Sequence, residues 1–126
     1  MSRESILTKD APAPIGPYSQ AIHSGKWLFC SGQGALDPAT GKLLNESIAA
    51  ETEQTLKNLG NVLRAAGFDY DDVVKTTVFL VDMNDFAAVN AVYAKYFSDV
   101  KPARSTVAVR ELPAGIRVEI EAIAHK

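Results

Sequence analysis

The chemistry available to this chain starts from Arg104 and two carboxylates that follow it, Glu119 and Glu121. A guanidinium fork grips a small carboxylate through two parallel N–H···O bonds. A neighbouring ionised Glu can take a proton from water or pass one to a leaving amine. The combination suits hydrolysis of a small acid. Lys101-Pro102-Ala103 precedes Arg104, and the prolyl bend fixes where its strand begins. Side chains alternate across a strand, so Arg117, Glu119, Glu121 and Ile123 oppose Ile116, Val118, Ile120 and Ala122. In the preceding strand Ser105, Val107 and Val109 oppose Arg104, Thr106 and Ala108. If the apolar faces coincide, Arg104 and Thr106 stand beside Glu119 or Glu121 on a sheet face that no helix covers. On pattern alone, a solvated face with a cross-strand ion pair is the favoured reading.

Other candidates carry less. Gly32-Gln33-Gly34 follows a strand, but no third glycine or helix follows and Asp37-Pro38 intervenes, so a dinucleotide fingerprint is rejected. Its backbone N–H groups could still face an anion, because glycines allow close approach. Cys30 lies in an apolar strand and is read as packing, so no triad with His23 is proposed. One cysteine and two histidines are too few for a zinc or histidine cluster, and no metal is expected. The sequon Asn45-Glu46-Ser47 is set aside for want of a secretory signal. Tyr18, after Gly16-Pro17, is either a loop anchor or the aromatic wall of a pocket.

The elements that must position these residues follow from periodicity. Ala11-Pro12-Ala13-Pro14-Ile15-Gly16-Pro17 excludes helix and central strand, so the polar start and this segment form a turn or docking arm. Ser19–His23 and Trp27–Ser31 read as a hairpin. Ile48, Leu56, Leu59, Val62, Leu63 and Ala66 recur at helical spacing between Ser47 and Ala66, with Gly67 placed to cap. Val73–Val81 is dense enough in apolar residues for a central strand. A second helix spans about Asn84–Phe97, capped by Asn84 or Asp85, with Phe86, Val89, Tyr93 and Phe97 in one stripe and Asn90 beside it. Strands Arg104–Val109 and Ile116–Ala124 close the chain. The order β-β-α-β-α-β-β predicts one α+β domain over 1–126, a two-layer sandwich with both helices on one face of a mixed sheet. The 126 residues carry 13 Lys and Arg against 15 Asp and Glu, a formal charge of −2, so no global field gathers nucleic acid or an anionic membrane. No apolar run exceeds four residues, so no membrane span is expected.

Six strings stand in order along the chain: Gly16-Pro17-Tyr18-Ser19-Gln20-Ala21, Ser31-Gly32-Gln33, Val74-Lys75-Thr76-Thr77-Val78-Phe79, Asn84-Asp85-Phe86 with Val89-Asn90, Pro102-Ala103-Arg104-Ser105 and Val118-Glu119-Ile120-Glu121-Ala122. Together they resemble the reactive intermediate deaminase family, RidA or YjgF-like, over nearly the whole length. The resemblance implies a chorismate-mutase-like fold and a homotrimer whose sheets line a central barrel, with three sites between subunits. It also implies cofactor-free hydrolysis of enamines and imines such as 2-aminoacrylate, 2-iminobutanoate and 2-iminopropanoate to 2-keto acids and ammonia. By the same resemblance Arg104 binds the substrate carboxylate, supported by the backbone at Gly32 and Thr106, and Glu119 holds or activates water, with Glu121 as second choice. Tyr18 and Ser31 line the pocket from a subunit adjacent to that of Arg104, Tyr18 among the catalytic residues, and Asn90 supports the site. The chain departs from many relatives at Thr106, where cysteine is common, so catalysis here requires no thiol.

Two other functions are weighed beside the deaminase. One is a non-enzymatic regulator binding keto acids or amino acids in the same cleft; retention of Glu119 tilts against it, since a carboxylate sensor gains nothing from another negative group. The other is an RNA-cleaving translation inhibitor, which the acidic balance disfavours. The cytosol is the expected compartment. Some members of the family are mitochondrial, and no Arg-rich presequence is visible.

Overall fold

The computed structural model describes residues 2–97 and 99–126. In chain order the elements are β1 (Glu4–Ile6), β2 (Ala21–Ser24), β3 (Trp27–Gln33), α1 (Ile48–Ala65), β4 (Val73–Leu80), α2 (Phe86–Tyr96), β5 (Ala103–Ala108) and β6 (Val118–His125). The strands form one mixed sheet ordered β1-β2-β3-β6-β4-β5. Only β4 and β5 run parallel, joined by the α2 crossover, and every other neighbouring pair is antiparallel. The α+β class and the shared face of the two helices match the sequence expectation. The sheet gains a strand, β1, where a turn or arm was expected. Three residues are too few to show periodicity, and β1 exists through its pairing with β2, Ser5 opposite Ile22.

Helix α1 begins where Ser47 Oγ accepts from the Ala50 N–H at 3.1 Å. It ends with Gly67 at φ 83°, whose N–H reaches Arg64 O while the Phe68 N–H reaches Leu63 O. This double closure needs a left-handed residue, which glycine adopts without a Cβ penalty. The α1 stripe Leu56, Leu59, Val62 and Leu63 joins Leu28, Val118 and Ile120 in the core, and α2 adds Val89, Val92 and Tyr93. Helix α2 starts two residues later than its pattern suggested. A 3₁₀ turn, Met83–Asp85, comes first. Asp82, not Asn84 or Asp85, supplies the local cap, its carboxylate accepting from the Asn84 N–H at 2.9 Å.

Two buried polar side chains on α1 tie the layers together. Asn58 donates to Gly34 O at 2.9 Å and to Leu36 O at 3.0 Å, pinning the loop that leaves β3. Glu51, fully buried, accepts from Arg117 Nε at 2.9 Å and from its Nη2, which holds the entry to β6. This corrects the expectation that Arg117 shares a face with Glu119. Arg117 lies in the bend before β6, where strand alternation does not yet apply.

Breaking a pair that leaves a buried carboxylate without its counter-charge costs about 2–3 kcal/mol. Arg117→Met is therefore expected to lower stability by that amount in urea unfolding. Adding Glu51→Leu should recover part of the loss, because an apolar pair needs no desolvated charge.

Candidate functional site

The first half of the site is built on an irregularity in β3. Cys30 pairs with Ala122, yet Gln33 pairs with Ile120, so three steps along β3 match two along β6. The extra residue falls at Ser31-Gly32, and a bulge there re-aims the strand. Ser31 is held on both sides: its N–H donates to Gln20 O at 2.9 Å and its Oγ to Ser19 O at 2.6 Å. Glu119, on β6, lies directly over Gly32. A Cβ at that glycine would sit 2.6 Å from Glu119 Cδ, so any larger residue would displace the carboxyl from this place.

A proline-rich loop closes over this patch, and its anchor is Gln20. Gln20 is 1% exposed, and its side chain replaces a strand partner for the loop. Its Nε2 donates to Pro12 O at 2.9 Å, Thr8 O at 3.1 Å and Ala11 O at 3.4 Å, while Oε1 accepts from the Thr8 N–H at 2.7 Å. Tyr18 sits at the loop's end, its hydroxyl accepting from the Ile15 N–H at 3.2 Å. Both readings of Tyr18 thus hold: it anchors the loop and lines the pocket. The resulting cleft encloses about 560 Å³ and brings together Tyr18, Ser31, Gly32, Glu119 and Glu121. Opposite the loop stands Ala114, at φ 60° in a 3₁₀ turn, Pro113–Gly115.

Arg104, Thr106 and Asn90 belong to a second place. Thr76 of β4 pairs with Arg104 on one side and with buried Ala122 on the other, while Val78 pairs with Thr106 and Ile120. Arg104 and Thr106 therefore point to the face that the helices cover. Glu119 pairs with Phe79, itself opposite Val107, on the other face. The expected adjacency of Arg104 and Glu119 within one chain is thus overturned. The expectation assumed that Val107 turns inward, but β5 is an edge strand and Val107 lies on the open face, 43% exposed. Arg104 instead stacks on α2, its Cζ 4.8 Å from the Tyr93 ring centroid and 5.6 Å from that of Phe86. Asn90 lies four residues after Phe86 and three before Tyr93, on the same stripe. Thr106 Oγ1 is buried and, among the described residues, finds no hydrogen-bond partner.

Burial pushes the Glu119 carboxyl above the usual carboxylate range, and the Glu121 charge raises it further. Burial alone pushes the Cys30 thiol up to about 12. Among the described residues, no three His, Cys, Asp or Glu side chains gather to hold a metal ion. Sequence reasoning missed Gln20, Asn58 and the ring pair Phe86 and Tyr93 as positioning groups. A Gln directly before the apolar pair Ala21-Ile22, just after a proline-rich segment, was the available signal for the first.

A model of the endoribonuclease L-PSP family matches residues 8–126. The chain is 53% identical over 122 residues to 2-iminobutanoate/2-iminopropanoate deaminase of Mus musculus, covering 97% of this chain and 90% of the mouse protein. It is 51% identical over 124 residues to Reactive Intermediate Deaminase A, chloroplastic, of Arabidopsis thaliana, covering 98% of this chain and 66% of the plant protein. The crystal structure of Escherichia coli TdcF with bound serine has the same fold, with a TM-score of 0.93, 39% identity and 98% of each chain covered. A six-stranded mixed sheet under two helices is the architecture that this chain shares with that structure. The chain belongs to the RidA/YjgF/L-PSP family.

The electrostatics of the cleft can be checked directly. Because Glu121 adds to the upward shift, Glu121→Gln should lower the titration midpoint of Glu119, read by carboxyl ¹³C NMR, while burial keeps it above the ordinary range. A carboxyl whose folded-state pKa is raised costs stability as pH climbs through that value. Glu119→Gln should therefore melt higher than the parent at neutral pH and equally below the unfolded-state pKa.

Proposed function

We propose that this chain is a deaminase of reactive imines and enamines, a hydrolase acting on carbon–nitrogen bonds, and that its sites form between copies of the chain in a homotrimer. Half-identity to the mouse deaminase over nearly the full length supports the activity. The observation that carries the shared site is the placement of Arg104 and Glu119 on opposite faces of one sheet. A molecule of a few heavy atoms cannot touch both within one chain. The open sheet face also presents Trp27 at 45% and Phe29 at 46% exposure, apolar area that a second copy would cover.

In this reading Arg104 of one copy binds the substrate carboxylate, helped by backbone N–H groups at Thr106 and at Gly32 of the next copy. Asn90 supports the Arg104 side from α2. Tyr18 and Ser31 wall the cleft, and Glu119 handles water. The raised pKa of Glu119 suits it to both directions of proton transfer. An enamine such as 2-aminoacrylate first tautomerises to its imine. Water then attacks C2, Glu119 takes its proton, and the C=N electron pair moves to nitrogen, which is protonated. Glu119 supplies that proton to the nitrogen, giving the carbinolamine; it then relays the hydroxyl proton to the amine as C=O forms, so the C–N bond breaks and ammonia leaves. Imine and water become 2-keto acid and ammonia, with Glu119 restored. The net charge of −2 gives an RNA backbone nothing comparable to hold.

The test supplies the enamine from a serine or threonine dehydratase and follows keto-acid formation against semicarbazide trapping. Charge-assisted bonds from a guanidinium contribute about 1.5–3 kcal/mol, so Arg104→Ala should reduce substrate capture at least tenfold. Glu119→Gln should abolish turnover. Co-assembling the two impaired variants should restore parental activity at about a quarter of the sites in randomly mixed trimers, where an intact Arg104 meets an intact Glu119. No recovery in verified mixed assemblies would place the whole site in one chain and overturn the shared-site reading.

A further inference from the structure

Arg104 is the one site residue whose surroundings the reaction has not yet explained. Among the described residues no carboxylate pairs with it. Its guanidinium is held by rings: Cζ lies 4.8 Å from the centroid of Tyr93 and 5.6 Å from that of Phe86. Tyr93 is itself fixed. Its hydroxyl shares a 2.6 Å hydrogen bond with Thr76 Oγ1, and its ring packs 4.6 Å from that of Phe97. Thr76 is fully buried and is the register partner of Arg104 across the β4–β5 ladder. Sheet and helix thus meet in a closed circuit: Thr76 beside Arg104, Thr76 bonded to Tyr93, and Tyr93 under the Arg104 head.

We infer that Tyr93, locked by Thr76, is a positioning residue that orients the Arg104 fork and sets how strongly the site holds its carboxylate. The inference rests on Arg104 being the carboxylate anchor, as proposed above. A guanidinium stacks through its face and donates hydrogen bonds through its edge. Rings therefore restrain the group while leaving every edge N–H free for the ligand. A structural Asp in the same place would consume that edge and cancel the charge. Holding a long side chain in one rotamer beforehand also removes an ordering cost that binding would otherwise carry.

The prediction separates binding from chemistry. Tyr93→Leu should raise KM for the imino acid, and Kd for 2-ketobutyrate measured by calorimetry, about 5–30-fold, the range expected for a partly desolvated cation–π contact. The kcat value should move less than threefold. Tyr93→Phe and Thr76→Val, which keep the ring or the shape but break the hydroxyl bond, should each give a smaller rise in KM. Their double variant should equal either single one, since both remove the same bond. The Arg104 Nε–H NMR signal, shifted upfield by the rings, should move downfield in Tyr93→Leu. If that variant does not fold, the two hydroxyl variants and the NMR signal decide the matter. A folded Tyr93→Leu with unchanged KM and Kd, or one that loses only kcat, would overturn the inference. Failure of wild-type protein to turn over any imino acid would sink the deaminase reading alone, because the keto-acid Kd and the NMR signal still judge the ring bracket.

Discussion

A pleated strand sends neighbouring side chains to opposite faces, and that constraint governs everything this protein can do. The β4 ladder places Arg104 level with Thr76 and Glu119 level with Phe79, an odd number of residues apart, so a guanidinium and a carboxylate end on different sides of one sheet. In the proposed reading, a fold with one such sheet therefore has two half-sites in each copy and no complete one. The covered face offers a cation braced by rings. The open side offers a partly buried acid over a glycine, under a tied loop. Association of copies is the economical way to bring the halves to one small ligand.

Each half is positioned by polar groups that the core has enclosed. Gln20 bonds the peptide groups of a loop that could not enter the sheet, because its prolines lack the necessary N–H. Asn58 does the same for the loop after the bulge, and Glu51 clamps the start of β6 through Arg117. A satisfied hydrogen bond contributes only about 1 kcal/mol net, but an orphaned buried partner costs about 1–3 kcal/mol. Such groups stabilise little and forbid much: alternative loop paths leave them unpaired. They specify the shape of the cleft, while the stripes on α1 and α2 supply the bulk of the burial.

Much of the layout was legible from residue order. The α1 stripe and its glycine cap, the hairpin and the dense β4 run are local patterns, and local patterns survive folding. Six ordered strings pointed to the family to which the chain belongs. What escaped was settled by partners distant in sequence. Three residues at β1 become a strand only because β2 offers an edge. The orientation of β5 depends on its parallel register to β4, and the apolar Val107 misleads because its face is the uncovered one. Arg117 looked like the next step of an alternating strand but belongs to the bend that Glu51 holds. The ring bracket around Arg104 needs the α2 crossover to be in place before it can be seen.

The single thiol carries a last consequence. Cys30 is the only cysteine of the chain and sits on the core face of β3, paired with Ala122, with its pKa raised to about 12. At neutral pH very little of it is the thiolate, the form that alkylating agents and peroxides attack. With threonine at position 106, β5 carries no thiol beside Arg104. Thiol-directed electrophiles therefore find no ready thiolate in this chain, and among the described residues the sulfur left open to an oxidant is the exposed thioether of Met83, whose oxidation to the sulfoxide is reversible.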